Sequence, residues 1–327
     1  MKTSVALCTF NGEKYVSDQI ISILDQTEKV DEIVICDDLS SDKTKEILNK
    51  FAADNSSIKL IFNEQNLGFV KNFEKAIKNC TGDIIFLADQ DDIWKPNKVK
   101  KMMKIFRQKA DCYYVFSDAD AFNENEKLDY TLWDSVNFNL QKQSKFKSGL
   151  QKELLIRESF IYGAVLAFRA EFKKYFFPIS SEFYHDNWIV LILSFLNKNA
   201  GYFISESLIN YRIHTSQSIG LPTHKKVLRF FRDINNLRQN HKIVFEKKNR
   251  MLSDLKTSLD QNKILSESNR IFLDEMIYFL NQRNEMYDLS KPKRLKIIRK
   301  LYSKGFYQTY STSNLVALKD VVQKVIL

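Results

Sequence analysis

Three carboxylates fall within four residues directly after an apolar run: Asp89, Asp91 and Asp92 follow Ile84-Ile85-Phe86-Leu87. Acids this close repel one another and destabilise a fold unless a positive charge compensates them. A divalent cation whose shell is completed by phosphate oxygens is a natural partner for them. The alternative is a strand end followed by a helix N-cap, because Asp is common at helix starts. One cap needs only one acid, so the cluster favours metal or phosphate chemistry.

The surrounding sequence predicts alternating strands and helices that would position this cluster. Strands are predicted at 3–8, 32–36, 58–62 and from 83, and helices at 15–24, 43–53 and 69–79. Short turns connect them, which is typical of a mainly parallel α/β sheet with helices on both faces. The motifs GxGxxG and GxxxxGK[ST] are absent from the sequence, which argues against a nicotinamide, flavin or P-loop site.

Polar residues follow strands one, two and four of this predicted sheet. Thr9 and Asn11 follow the first strand, and Asp37 and Asp38 end the second. Because ligands of open α/β sheets bind at the carboxyl ends of the strands, we expect these residues and the acidic cluster to lie together.

Four motifs in register along residues 1–100 resemble the nucleotide-sugar half of family 2 glycosyltransferases. They are Cys8-Thr9-Phe10-Asn11, Ile35 to Asp42 (ICDDLSSD), Asn66-Leu67-Gly68 and Asp89-Gln90-Asp91-Asp92. The resemblance implies a GT-A fold, which is Rossmann-like, with a mixed, mainly parallel sheet. It implies that Asp89, Asp91 and Asp92 hold Mg²⁺ or Mn²⁺ on the diphosphate. It also implies a nucleotide-sugar pocket that includes Thr9, Asn11, Glu13, Asp38, Asn66, Gly68 and Asp89.

The segment Tyr184-His185-Asp186-Asn187-Trp188 opens an apolar helix, and Asp186 is either a helix cap or a catalytic acid. The resemblance, here to a rhamnosyltransferase-like branch, implies that Asp186 is the general base. Such a base permits one direct displacement, which inverts the anomeric centre. We place Gly163, His185 and Trp188 on the acceptor side, although Gly163 is equally consistent with a β-bulge and His185 with a solvent-facing position.

Arg212 and His214 lie two residues apart on a predicted strand and therefore share one face. We expect Arg212 to pair with the diphosphate or a nearby acid, and His214 to ligate the metal or contact a phosphate. A purely structural His214 is an equal alternative. Residues 215–220 are a candidate lid over this site.

The sequence pattern between residues 112 and 169 is less regular than that of the first hundred residues. A strand over 112–116 is predicted to end at Ser117-Asp118-Ala119-Asp120, read either as a turn or as a substrate contact. Residues 122–148 are expected to form a loop or short helices near the acceptor, and residues 161–169 a strand.

Pro222 marks a predicted boundary between a glycosyltransferase domain and a basic helical region. The first domain would comprise a nucleotide-sugar half (1–100) and an acceptor half (101–222). Residues 225–327 carry 22 Lys and Arg against 10 Asp and Glu, leaving 28 and 30 in the first 224 residues. The region 223–327 is predicted to form helices at about 225–250, 252–262, 266–288, 291–302 and 314–326.

The basic excess of the C-terminal region suggests an anionic partner. Within 291–302, apolar residues recur at helical spacing among six basic ones, which predicts a helix on an anionic membrane surface or one packed on the protein body. The region lacks the aromatic and basic interleaving of nucleic-acid readers, so no nucleic acid is expected.

The four cysteines show no CxxC spacing and are expected to be reduced core residues. The N-terminus lacks the apolar region of a signal peptide, so a cytoplasmic location is expected, with a peripheral location on the inner face of the plasma membrane as the alternative.

The sequence therefore predicts an inverting, metal-dependent glycosyltransferase of cell-surface polysaccharide assembly. Its donor would be a nucleoside diphosphate sugar, with dTDP-rhamnose first and a UDP-hexose second, and its acceptor a saccharide or lipid-linked saccharide. Two alternatives remain: a nucleotidyltransferase acting on sugar-1-phosphate, and a non-catalytic nucleic-acid-binding protein.

Overall fold

The computed structural model describes residues 1–124, 126–215, 217, 226–311 and 315–322, with the backbone alone for 226–240 and 322. The chain divides into two units, one of residues 1–151 and 159–222 and the other of residues 152–158 and 223–327. The boundary predicted at Pro222 lies outside the described residues.

Strands and helices alternate along the first unit. The strands are β1 (Thr3–Thr9), β2 (Glu32–Asp37), β3 (Ile58–Phe62), β4 (Ile84–Ala88), β5 (Ile93–Trp94), β6 (Tyr114–Phe122), β7 (Lys127–Thr131), β8 (Leu166–Arg169) and β9 (Gly201–Arg212). The α-helices are α1 (Val16–Leu24), α2 (Thr44–Asp54), α3 (Phe69–Asn79), α4 (Lys98–Gln108), α5 (Leu132–Val136), α6 (Leu140–Lys147), the start of α7 (Gln151–Leu155) and α8 (His185–Leu196).

The described strands form one nine-stranded sheet in the order β3-β2-β1-β4-β8-β6-β9-β5, with β7 paired to β6. Within the group β1 to β4, every pair of neighbouring strands is parallel. Strand β8 is antiparallel to both β4 and β6. All seven residues of β1 and all five of β4 are buried, as expected where helices cover both faces of a parallel sheet. The predicted α/β class and mainly parallel sheet are confirmed.

The structure differs from the sequence prediction on the acceptor half. Strand β6 continues through the residues interpreted from the sequence as a turn or a substrate contact, because residues 118 and 120–122 pair with β9 and, at 120 and 122, with β7. Asp118 accepts the backbone N–H groups of Ala119 and Trp133, and Asp120 pairs with Lys95 and Lys127.

One further segment departs from the expected strand, whereas residues 122–148 include two short helices, α5 and α6, in agreement with one of the two expectations for them. Gly163–Val165 forms a 3₁₀ turn, so only the second part of the predicted strand at 161–169 is extended. Within residues 122–148, the side chains of Trp133, Phe138 and Phe146 are buried and contact the Phe116 ring. That segment therefore supplies core packing.

The second unit is helical. After Leu155, its helices are α9 (Lys226–Gln261), α10 (Glu267–Met286), α11 (Lys291–Ser303), α12 (Phe306–Tyr310) and α13 (Leu315–Val322). The two helices predicted at 225–250 and 252–262 are one continuous helix. No helix among the described residues carries an apolar stretch long enough to span a bilayer.

Helix α11 buries part of the apolar stripe seen in the sequence. Ile298 and Leu301 are buried within the described structure, whereas Leu295 is half-buried, Tyr302 is exposed and the basic side chains between Ile298 and Leu301 point outward. A packed helix therefore accounts for part of the stripe, and a basic face remains exposed. Its members are Lys291, Lys293, Lys296, Arg299, Lys300 and Lys304.

A buried ion pair lies at the centre of the second unit. Asp320 accepts two hydrogen bonds from Arg283, from Nε at 2.8 Å and Nη2 at 2.9 Å, and two more from the hydroxyls of Tyr287 and Tyr307. Four donors satisfy the carboxylate, which compensates for its complete burial.

We expect Asp320→Asn to reduce the free energy of unfolding by about 3–5 kcal/mol, because it leaves the Arg283 charge buried without a partner. Asp260→Asn is the matched control, since Asp260 forms an exposed pair with Arg270 and should contribute less than about 1 kcal/mol. Urea denaturation followed by circular dichroism measures both. Equal losses in the two variants would contradict the assignment.

Candidate functional site

A cleft with a volume of about 430 Å³ opens at the carboxyl ends of β1, β2 and β4. Strand ends of the nucleotide-sugar half line one side of it, and residues near the start of α8 line the other. Ten residues predicted from the sequence line this cleft: Thr9, Asp38, Asn66, Gly68, Asp89, Asp91, Gly163, His185, Asp186 and His214.

Asp38 organises the part of the cleft that follows β2. Its carboxylate accepts hydrogen bonds from Asn63 Nδ2 and from the backbone N–H groups of Leu67 and Gly68, and its carbonyl accepts one from Asn66. The loop before α3 is thereby fixed to the end of β2. Gly68 has a φ of 75°, a left-handed conformation that favours glycine.

Thr9, Asn11 and Glu13 connect the end of β1 to its neighbours. Thr9 is buried and donates to Asp37, while the Asn11 and Glu13 side chains accept the backbone N–H groups of Ser41 and Lys43. Asn11 lines an adjoining depression of about 580 Å³. The Glu13 carboxylate binds the backbone at the start of α2 and does not line the cleft.

The acidic turn is fastened to the first loop through Gln90, whose side-chain amide accepts from the Phe10 N–H and donates to the Phe10 carbonyl. Burial, followed by the charges of Asp91 and Asp186, raises the pKa of Asp89 to about 7. Burial and the charges of Asp91 and Asp89 also raise the pKa of Asp92 well above its usual range. The turn thus concentrates negative charge at the cleft.

The end of β9 carries the predicted pair Arg212 and His214. Arg212 donates from its backbone N–H to Asp92, from Nε to the Asp91 carbonyl and from Nη2 to Asp18. Its guanidinium also lies over the rings of Tyr15 and Phe122, at 4.5 and 4.6 Å from their centroids. These contacts match the expected pairing with a nearby acid and leave Arg212 as a buried support of the acidic turn.

His214 lies in the cleft beside the acidic turn, with Nε2 at 2.8 Å from Asp91 Oδ2. Its ring also contacts Tyr15, with centroids 4.7 Å apart. The structure therefore brings together one imidazole and the carboxylates of Asp91 and Asp89 on the same cleft wall.

The donor types at this wall fit a Mg²⁺ or Mn²⁺ ion. Within the described ranges, no three His, Cys, Asp or Glu side chains converge closely enough to hold a metal by themselves. A Mg²⁺ site commonly has this character, because one or two carboxylates bind the ion and substrate phosphates supply further oxygens. Asp92 is buried away from the cleft, and its Oδ2 has no hydrogen-bond partner among the described groups. The candidate ligands at the cleft are thus Asp91, His214 and Asp89.

Asp186 faces the cleft from the first turn of α8. Its Oδ2 accepts the Gly163 N–H at 2.7 Å, and its Oδ1 accepts the Asn187 N–H at 2.6 Å. Burial raises the pKa of the carboxyl to about 6, partly opposed by these hydrogen bonds. A carboxylate with this pKa is suited to accept a proton near neutral pH.

The remaining acceptor-side residues surround Asp186 in different ways. The His185 ring is buried and stacks on Phe73, with centroids 3.8 Å apart. A side chain at Gly163 would place its Cβ 2.9 Å from His185 Nε2, so glycine is required for this close approach. Trp188 is fully buried and donates to the Phe176 carbonyl, which gives it a packing role beneath the cleft.

Lys98 is a site residue that the sequence interpretation missed. It is fully buried, donates from Nζ to the Ala164 carbonyl at 2.7 Å and lies 3.6 Å from the centroid of the Trp94 ring. Burial lowers the pKa of Lys98 well below the usual lysine value, and the charges of Asp92 and Asp89 oppose this shift. The sequence feature that indicates its burial is its position four residues before Met102, which places Lys98 on the apolar face of the otherwise basic helix α4.

The comparison with known families matches the glycosyl transferase family 2 model to residues 4–176, more than half of the chain. An uncharacterized glycosyltransferase of Nostoc is 30% identical over 65% of this chain and 65% of its own length. The dTDP-rhamnosyl transferase RfbG of Shigella flexneri is 36% identical over 36% of this chain and 40% of its own length. The chain thus covers less than two thirds of either relative.

Among solved structures, residues 1–349 of S. aureus TarS in complex with UDP-GlcNAc align with a TM-score of 0.53 at 15% identity. The alignment covers 98% of this chain and 88% of TarS 1–349. This likeness concerns the fold and agrees with the expected GT-A architecture, with C-terminal helices following the sheet. The match of the family model over more than half of the sequence shows that the chain belongs to glycosyl transferase family 2.

Proposed function

We propose that the protein is an inverting, metal-dependent glycosyltransferase that uses a nucleoside diphosphate sugar. The observation that carries the proposal is the arrangement of two kinds of carboxylate in one cleft. Asp89 and Asp91 line the wall with His214, while Asp186 enters from α8. The charge of Asp186 contributes to the raised pKa of Asp89, so the two groups are near enough to interact.

The residues have separate tasks in this proposal. The Thr9, Asp38 and Asn66–Gly68 side of the cleft binds the nucleoside. One or two of the candidate ligands Asp91, His214 and Asp89 bind the metal together with oxygens of the diphosphate. When bound, the cation stabilises the negative charge of the departing nucleoside diphosphate. Asp186 accepts the proton of the acceptor hydroxyl as its oxygen attacks the anomeric carbon from the face opposite the diphosphate. One displacement of this kind inverts the anomeric centre.

The donor proposed first is dTDP-rhamnose, supported by the similarity to RfbG, and a UDP-hexose is second. The acceptor proposed is a saccharide or lipid-linked saccharide of cell-surface polysaccharide assembly. Thermal-shift screening of nucleoside diphosphate sugars with Mn²⁺ or Mg²⁺ tests the donor. Pyrophosphate release from a sugar-1-phosphate and a nucleoside triphosphate would instead indicate a nucleotidyltransferase.

We expect Asp186→Asn to bind the donor normally but to lower kcat by roughly 10²–10⁴-fold, because the amide cannot accept the proton. In the wild type, kcat should rise with pH through about 6 and level off above it, since the base acts when ionised. The variant should lack this rise. Asp120→Asn, whose carboxylate pairs with Lys95 outside the cleft, is the control. Near-normal turnover of the Asp186→Asn variant would show that Asp186 is not the general base.

We expect Asp91→Ala to weaken binding of dTDP or UDP at least tenfold with Mn²⁺ present and to have little effect in EDTA, because the metal connects this carboxylate to the diphosphate. Isothermal titration calorimetry measures both conditions. Glu64→Ala removes an exposed acid outside the cleft and serves as the control. Equal nucleotide affinity of the wild type in Mn²⁺ and EDTA would exclude the metal assignment.

We also propose that the exposed basic face of α11 binds an anionic membrane surface, within the region 291–327 for which this was expected. Since Ile298 and Leu301 are buried, attraction to lipid would be mainly electrostatic.

Reversing three charges on this face, by Lys293→Glu, Lys296→Glu and Lys300→Glu together, should weaken binding to vesicles containing phosphatidylglycerol at least tenfold. Vesicle sedimentation measures the effect, and vesicles of phosphatidylcholine alone report non-electrostatic binding. The control makes the same change at three exposed lysines of the first unit: Lys50, Lys104 and Lys109. Unchanged binding of the α11 variant would refute the membrane proposal.

A further inference from the structure

Two large aromatic side chains are exposed in the cleft, one from each of its sides: Phe69 begins α3, and Tyr184 immediately precedes α8. Phe69 and Tyr184 retain 38% and 48% of their accessible surface, and their ring centroids lie 5.8 Å apart. Both line the cleft, and Tyr184 is two residues before Asp186. Exposing two neighbouring aromatic rings at a cleft wall indicates a surface that a ligand covers.

The surrounding contacts hold this aromatic pair in place. Phe69 begins α3 directly after Gly68, whose N–H is held by Asp38, and Tyr184 is the N-cap of α8. The His185 ring packs between them and the core, stacked on Phe73 and edge-on to Phe69 with centroids 6.4 Å apart. The rings therefore belong to a preformed part of the cleft.

His185 provides a second, independent indication of a ligand. It is 5% exposed, yet neither ring nitrogen has a hydrogen-bond partner among the described groups. Burial lowers its pKa to about 3, so the imidazole is neutral and offers one donor and one acceptor. A buried polar group without partners is costly, and the imidazole lines the cleft that a ligand would fill.

We propose that Phe69 and Tyr184 form the acceptor subsite and bind the pyranose ring of a saccharide. The apolar C–H face of a sugar ring carries partial positive charge and is complementary to the negative face of an aromatic ring, while its hydroxyl groups point outward. A ring held here would present a hydroxyl to Asp186. This inference rests on the proposed function, because that reaction requires the acceptor on the side of Asp186, away from Asp91 and His214.

A stacked nucleobase is the competing occupant of an exposed aromatic pair. The position of Tyr184 favours the sugar. Tyr184 and Asp186 lie in the same turn at the start of α8, whereas the acids proposed to hold the diphosphate belong to the turn after β4. A donor nucleoside would occupy the side of the cleft built by Thr9 and Asp38.

Saturation-transfer NMR tests the subsite with a panel of methyl pyranosides of glucose, galactose, N-acetylglucosamine and rhamnose. We expect transfer to ring C–H protons of at least one glycoside in the wild type. Phe69→Ala and Tyr184→Ala should each weaken its binding by about threefold to tenfold, as expected for one lost ring contact, while Tyr184→Phe should retain it. Binding of dTDP and UDP with Mn²⁺, measured by calorimetry, should stay within twofold.

The matched controls are Phe62→Ala and Tyr302→Ala, because these rings are 38% and 50% exposed at positions outside the cleft. Absence of glycoside binding by the wild type, or variants that behave like these controls, would overturn the subsite. A parallel loss of dTDP or UDP affinity would assign the rings to the nucleobase instead. If the wild type binds nucleoside diphosphate sugars while the subsite tests fail, only this inference is lost. If it binds no such donor, the proposed function itself fails.

Discussion

Repulsion among the carboxylates of the turn after β4 is the constraint on which the site depends. Asp89, Asp91 and Asp92 are held together against their mutual charge, and several distant segments supply the attachments. Arg212 donates hydrogen bonds to the Asp92 side chain and to the Asp91 carbonyl, and Gln90 fastens the turn to the first loop. Contacts with the start of the chain and with the end of β9 therefore hold one short turn.

The buried acids of this protein differ in how completely their charge is compensated. Asp38 is surrounded by N–H donors, and Asp320 has a guanidinium and two hydroxyls, so both contribute to the fold. Asp92 accepts one hydrogen bond, from the Arg212 N–H, and its Oδ2 has no partner among the described groups, while burial raises the pKa values of both Asp89 and Asp92. Carboxylates whose oxygens all accept hydrogen bonds stabilise the fold. Carboxylates with too few hydrogen-bond donors are the ones at which a bound cation or substrate is expected.

Local pattern predicted most of the first hundred residues because short turns separate strongly apolar strands from amphipathic helices. Prediction weakened where a distant partner decides the role of a residue. Asp118 and Asp120 resembled a strand end, yet Trp133, Lys95 and Lys127 satisfy them inside β6. For Arg212 the sequence left open the diphosphate or a nearby acid, and the structure shows a pair with Asp18 while Tyr15 and Phe122 flank the guanidinium. Lys98 was missed because a lysine in a basic helix gives little local indication that it is buried.

Two sets of cleft residues are held in the protein by different kinds of contact, and we expect the two sets to diverge at different rates. Thr9, Asp38 and Asn66 form hydrogen bonds that also hold the sheet and its loops, so replacing them alters the fold. Phe69 and Tyr184 contribute mainly exposed ring surface, which other side chains can replace at little cost in stability. Natural variation is therefore expected to accumulate faster at the two exposed rings. Related proteins can then keep the same nucleotide while they acquire new acceptors.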